Sequence, residues 1–220
     1  LADFEHEAGS DSYTLKIENV DLGNYTVTET TKDIDGREYT VKYSVNGGDQ
    51  EEGSEAAAEV VKNETTTVDF EDDYRKLAGT LELTKTIKGD ITEEEANGAL
   101  RFEITTEDGK WIGKDGKLTD QKAELTLADF EKISDQNYKL TINEIEVGNY
   151  IVTETTKDVN GNDVTVTYKV NGGEAAEGDA ADFTIEDGET TTVDFEDDYT
   201  KQTGILEITK TIKGDATPEE

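Results

Sequence analysis

The sequence predicts an all-β chain built from tandem antiparallel β-sandwich domains, and three observations carry that expectation. Apolar and polar residues alternate with period two through many short stretches. Turn dipeptides rich in Gly, Asn and Asp separate those stretches. The whole pattern then recurs at a domain-sized interval,.

The elements follow in chain order. Leu81, Leu83, Lys85 and Ile87 alternate with Glu82, Thr84, Thr86 and Lys88, the pattern of a half-buried strand,. Thr92 to Ala99 reads as a short helical turn capped by Thr92,. Alternation resumes in Phe102-Glu-Ile104, Tyr138-Lys-Leu-Thr-Ile142 and Tyr150-Ile-Val-Thr-Glu154. It continues in Val164-Thr-Val-Thr-Tyr168 and Thr192-Val-Asp-Phe195. Asp108-Gly109, Asp115-Gly116, Asn160-Gly161, Asn171-Gly172-Gly173 and Asp187-Gly188 supply the turns,. About seven short strands per unit point to an antiparallel sandwich.

The repeat sets the organisation. Asn24–Asp33 returns as Asn149–Asp158, Thr65–Tyr74 returns unchanged as Thr190–Tyr199, and Leu81–Asp90 returns as Leu206–Asp215. Each match lies 125 residues downstream, and roughly three positions in five are identical along the aligned stretch,. Residues 1–77 are therefore expected to be the C-terminal part of one unit, 78–202 a complete unit, and 203–220 the opening strand of a third. A unit of this size is a domain in its own right, unlike the short repeats of solenoids. Without an initiator Met or a leader, the chain is expected to be an internal segment,.

Composition excludes several functions. The 220 residues hold 21 Lys+Arg against 54 Asp+Glu, a formal net charge of −33. Such a chain repels phosphate backbones and anionic membranes, so neither nucleic acid nor a membrane is an expected partner. No apolar run approaches the length of a membrane-spanning helix. Cysteine is absent and His6 is the only histidine, which leaves no disulfide framework, no thiolate metal site and no histidine triad,. No cofactor is expected. Low hydrophobicity with high charge also suits disorder, but alternation this regular requires a buried face.

Three charges break the pattern. Lys85 shares the inward face of Leu81, Leu83 and Ile87. Glu154 shares the face of Tyr150 and Val152, and Asp197 lies between Phe195 and Tyr199 on the face of Val193. Each alone would be read as a solvated strand residue. Three together, on strands that one sandwich brings together, point to a buried ion triad or to a covalent bond, because unpaired burial is costly. The partial units contain the matching Glu29 and Asp72 in the first and Lys210 in the third.

These residues resemble a known family. The Lys85 strand in Leu81–Asp90, the Tyr150–Glu154 box and the terminal Val193–Tyr199 strand occur in the order found in CnaB-type domains. That resemblance implies an immunoglobulin-like sandwich of Gram-positive surface adhesins and pilins, secreted to the cell wall or cell surface. It implies a spontaneous isopeptide bond between Lys85 and Asp197, assisted by Glu154. By the same mapping Glu29 would assist in the first unit and Asp72 would be its cross-linked carboxyl. Lys210 would be the amine of the third, its partner lying beyond Glu220. Asp197 stands where many members carry Asn, which implies loss of water and not of ammonia. Neighbouring repeats of the same chain or filament are the implied partners, with any host receptor or glycan bound through other domains.

The chemistry suits the residue types. An apolar core favours the uncharged amine, the form that attacks a carbonyl. A buried Glu154 would keep its proton, polarise the Asp197 carboxyl and shuttle protons. Folding supplies the proximity, and no substrate pocket or turnover is expected, so the chain is not read as an enzyme.

Two other readings compete. Asp158-Val-Asn-Gly-Asn-Asp163 and Asp33-Ile-Asp-Gly36 have some calcium-ligand character, although neither has the full spacing of a calcium loop and both resemble hairpin turns,. A glycan-binding repeat would use Trp111, although a lone Trp in a sandwich more often packs against a sheet,.

Overall fold

The structure, a computed structural model, describes residues 2–30 and 33–214. The all-β architecture is as expected, and the chain divides into two compact units, Leu1–Lys76 and Leu77–Glu220. Asp215, the last residue of the second copy of the first-strand motif, lies outside the described residues, as do residues 216–220.

Among its described residues the first unit holds seven strands: β1 (Glu5–His6), β2 (Tyr13–Thr14), β3 (Gly23–Thr28), β4 (Arg37–Val45), β5 (Glu51–Glu52), β6 (Glu55–Val60) and β7 (Val68–Lys76). They form a β1–β2 hairpin, a β3–β6 pair and a β5–β4–β7 sheet. The two calcium-like segments are turns: Arg37 N donates to Ile34 O at 3.1 Å, and Asn162 N donates to Val159 O at 3.1 Å.

The second unit opens with β8 (Ala78–Gly89), which the Leu81–Ile87 alternation anticipates. Helix α1 (Glu93–Ala99) follows, and its start is a capping box. Thr92 Oγ1 accepts from Glu95 N, while Glu95 Oε2 accepts from Thr92 N at 2.9 Å,. Next come β9 (Arg101–Thr106), the two-residue strands β10 (Trp111–Ile112), β11 (Leu118–Thr119) and β12 (Leu125–Thr126), and β13 (Glu131–Ser134). The unit closes with β14 (Asn137–Glu146), β15 (Gly148–Thr156), β16 (Asn162–Val170), β17 (Ala176–Glu177), β18 (Ala180–Ile185) and β19 (Thr190–Lys201).

Two sheets result. One runs β13–β14–β8–β19–β16–β17 and the other β11–β10–β9–β15–β18, with β12 also on β9. Inward residues of both sheets, Leu83, Val193 and Phe195 from one and Phe102, Ile104 and Val152 from the other, join in one buried core. The strand pairs are antiparallel with one exception: β8 and β19 run parallel, from Thr190 opposite Thr80 to Tyr199 opposite Gly89. Parallel neighbours need a long connection, and here the rest of the domain is that connection. The ends of the pair approach closely at Gly89. Asp90 N donates to Tyr199 O at 2.8 Å, and a Cβ on Gly89 would fall 1.9 Å from that same carbonyl oxygen. With φ at +83°, the position requires glycine,.

The two units share registers as well as sequence. Val41 faces Asp72 as Val166 faces Asp197, and Tyr25 faces Ala58 as Tyr150 faces Phe183. Their burial differs. Tyr25 and Val27 are 39% and 41% exposed, whereas Tyr150 and Val152 are 3% and 0%. Among the described residues of 1–76 there is no counterpart of β8 or β9, two strands of the second unit's sandwich. Residues 202–214 are exposed and form no strand, although Leu206–Gly214 repeats the sequence of β8. A strand is held by ladder partners and a face to bury against, and this segment has neither among the described residues.

Hydrogen exchange read residue by residue tests this contrast. The amides of Tyr25 and Val27 should exchange at least about tenfold faster than those of Tyr150 and Val152, despite near-identical sequence. Equal protection would show that local sequence, and not covering strands, sets stability here.

Candidate cross-link site

Three strands from two sheets bring the inward charges together. Lys85 lies opposite Phe195 across the parallel ladder and Asp197 lies opposite Ile87, so the two are diagonal neighbours on one inner face. Glu154 reaches in from β15 of the other sheet, where its register partner is Phe102. The β15–β9 register shifts between Glu154 and Thr156, a bulge immediately beyond Glu154, and bulges re-aim adjacent side chains. Lys85 and Asp197 are 0% exposed and Glu154 is 1% exposed.

The contacts form one polar cluster in an apolar surround. Lys85 Nζ donates to Glu154 Oε2 at 2.9 Å and is ion-paired with Asp197 Oδ1. Aromatic rings close the cluster from both sheets. Lys85 Nζ lies 5.6 Å from the Phe102 centroid and 5.8 Å from that of Phe195. These two rings meet edge-on at 5.9 Å. On the other side, Tyr199 Oη lies 3.2 Å from Asp197 Oδ2 and donates to the Lys157 carbonyl at 2.8 Å.

Burial governs the proton balance. It pushes the Glu154 carboxyl up to about 7; the Lys85 charge opposes that rise and the Asp197 charge adds to it,. The Tyr199 phenol is held well above its ordinary range, first by burial and then by the Asp197 and Glu154 charges, so it stays a donor. Glu154 Oε1 and Asp197 Oδ1 are buried without a hydrogen bond. A proton retained on Glu154 is what a carboxyl oxygen in that position needs.

The other site candidates lie elsewhere. Glu29, just beyond β3, is half-buried, Asp72 is exposed on β7, and Lys210 is exposed in the segment after β19. Asp72, expected as the cross-linked carboxyl of the first unit, is thus open to solvent in this chain. Period-two alternation places it on the face of Phe70 and Tyr74, but among the described residues of 1–76 no counterpart of β8 covers that face. Trp111 is half-buried on β10 and donates from Nε1 to Glu103 Oε2 at 3.1 Å. Among the described residues, no three His, Asp or Glu side chains gather in a metal-binding group. The structure adds Tyr199, the Lys157 carbonyl and Phe102 to the site. The shared face of Asp197 and Tyr199 was the signal for the first; a backbone carbonyl leaves none in sequence.

Fold and site together define an all-β sandwich domain with a lysine and two carboxyl groups buried at its centre. A family model described as Domain of unknown function (DUF5979) matches residues 81–200, more than half of the chain. The chain belongs to that family. No curated protein matches it. Among solved structures it is similar to the T3.2 major pilin of Streptococcus pyogenes, at 17% identity and a TM-score of 0.40, covering 83% of this chain and 69% of that one. It is also similar to the T-13 major pilin of the same organism, at 19% identity and TM-score 0.41, covering 85% and 70%. The minor pilin of Streptococcus agalactiae matches at 15% identity and TM-score 0.35, covering 77% and 87%.

The raised Glu154 carboxyl makes a signed pH prediction for the chain with its three side chains free. Between its ordinary value of 4.5 and about 7, the folded state binds the proton and the unfolded state does not. Stability is therefore greatest below the lower value and falls as pH rises through the upper one, by about 3 kcal/mol in all. Urea unfolding of material whose mass retains all its water should show this fall, and Glu154→Gln should flatten it. A stability that rises over this window would contradict a buried, protonated Glu154.

Proposed function

We propose that residues 78–202 form a self-cross-linking structural domain, one of a tandem series in the stalk of a Gram-positive cell-surface adhesin or pilus. An isopeptide bond joins Lys85 to Asp197 and Glu154 promotes it. The observation that carries this reading is the fully buried Lys85 amine lying against both the Glu154 and Asp197 carboxyls. Tandem units of shared sequence and the resemblance to CnaB-type domains support the stalk setting.

The chemistry follows from the pocket. In low dielectric, transfer of a proton from the ammonium to a carboxylate removes two charges that burial disfavours. The neutral Lys85 amine can then attack the protonated Asp197 carboxyl, held at contact distance by two adjacent strands. Such fixed proximity supplies roughly 7–11 kcal/mol of the barrier. Glu154 holds a proton at near-neutral pH and so can both donate to the carboxyl and accept from the amine,. The product is a neutral amide plus water, and the aromatic surround disfavours its hydrolysis by keeping bulk water out.

The bond links residues 112 apart. A cross-link closing a loop of about 100 residues contributes on the order of 4.7 kcal/mol in the chain-entropy model. It removes one positive and one negative group together, so net charge does not report it and mass does.

Intact mass of the full chain should fall short of the sequence mass by one water. Lys85→Ala should restore the missing mass and lower the melting temperature, and Glu154→Ala should give a folded, unlinked chain. An unshifted wild-type mass, with Lys85 open to amine reagents after denaturation, would overturn the reading.

Force spectroscopy offers an independent check. Unlinked Lys85→Ala should release on the order of 370 Å more chain on unfolding than the linked wild type.

A further inference from the structure

We propose that the Tyr199 hydroxyl is a catalytic donor that decides which Asp197 oxygen remains in the bond: Oδ2 stays as the amide carbonyl and Oδ1 leaves as water. This rests on the cross-linking reading above and deepens it.

The two oxygens of Asp197 have different surroundings. Oδ1 lies against the Lys85 amine and has no hydrogen bond of its own. Oδ2 lies 3.2 Å from Tyr199 Oη. Tyr199 is 1% exposed, and its hydroxyl is anchored by the Lys157 carbonyl at 2.8 Å, three residues beyond Glu154 on the same stretch of chain. The hydroxyl therefore joins β19 to the segment leaving β15 and lies beside the Asp197 carboxyl. It has one hydrogen and two acceptors. In the resting site the closer carbonyl holds it. As negative charge grows on Oδ2 during attack, the balance shifts to Oδ2, the behaviour of a donor that binds the transition state more strongly than the ground state.

The step then balances. Neutral Lys85 Nζ, carrying two hydrogens, attacks Cγ of Asp197 protonated on Oδ1, and the C=Oδ2 electron pair moves onto Oδ2. Glu154 Oε2, the oxygen already facing Nζ at 2.9 Å, takes one hydrogen from nitrogen. Glu154 Oε1 delivers its own hydrogen to Oδ1. The Cγ–Oδ1 bond breaks, water departs, and the pair on Oδ2 reforms the carbonyl, which accepts from Tyr199. Glu154 ends with one proton, as it began, and the amide nitrogen keeps one hydrogen.

The test follows bond formation in time. Unfolded, unlinked wild-type and Tyr199→Phe chains, made without ribosomal folding by rapid denaturant quench or by segment ligation, are refolded and sampled for loss of water by mass. The Tyr199→Phe chain should lose water at least about tenfold more slowly, less than the full effect of an unshared oxyanion donor. The same substitution in the Lys85→Ala background, where no bond can form, should leave the folded circular dichroism spectrum unchanged, which separates chemistry from folding. Equal rates in the two linkable chains would overturn the assignment. A wild-type chain that never loses water would instead remove the cross-linking reading itself. A crystal structure of the linked wild type decides the matter even if Tyr199→Phe fails to fold. The isopeptide carbonyl oxygen should accept from Tyr199 Oη, and a carbonyl turned toward Glu154 would overturn the proposal.

Discussion

A charge carried from water into a protein interior loses several kcal/mol of hydration, and the second unit places three such groups in one dry volume. Much of its architecture can be read as the condition for that placement. Lys85 and Asp197 need adjacent strands, so the first and last strands of the domain run side by side and parallel. Glu154 needs to come from the facing sheet, and it does so at the bulge in β15. Phe102 and Phe195 line the cluster, and Tyr199 Oη lies 3.2 Å from Asp197 Oδ2. Withdrawing any one of β8, β15 or β19 would leave a buried charge without its partner. The apolar core and the polar cluster therefore stand or fall together, and in the proposed reaction the cluster resolves its own desolvation by becoming an amide.

The repeat isolates what burial contributes. TTTVDFEDDY occurs twice without a change, and β7 and β19 pair with β4 and β16 in the same register. Yet Asp72 is exposed and Asp197 is fully buried. Local sequence makes the strand and chooses which residues share a face. Whether that face becomes an interior is decided by β8 and β9, which have no counterpart among the described residues of 1–76. The chemistry proposed for Lys85, Glu154 and Asp197 is thus a property of the completed sandwich and not of the motif.

That distinction also explains what was legible in the sequence. Period-two alternation is a property of one strand, so the inward positions of Lys85, Glu154 and Asp197 could be read without knowing any pairing, and the Thr92 cap was visible for the same local reason. Pairing is not local. Nothing in Leu81–Ile87 announces that its neighbour is 110 residues away and parallel. The two-residue strands β10, β11, β12 and β17 are too short to show a period. The bulge beyond Glu154 is a mismatch between two strands, and the Lys157 carbonyl that anchors Tyr199 is backbone, so neither has a residue type to mark it. Asp72 shows the converse limit, since a face can be identified correctly and still lie open to water.

The parallel pairing has a mechanical consequence that an antiparallel pairing would not. The chain enters the domain at the start of β8 and leaves at the end of β19, which are opposite ends of a parallel pair. Tension between those points shears the ladder, so its hydrogen bonds share the load instead of opening one after another from an end. A Lys85–Asp197 amide would carry the force across the pair within a few residues, along β8 from Ala78 to Lys85 and then along β19 from Asp197 to Lys201. The intervening residues, with the whole facing sheet among them, would lie outside that path. Noncovalent shear strength would then matter only until the bond formed, and the covalent path would protect the same core whose dryness the proposed reaction needs.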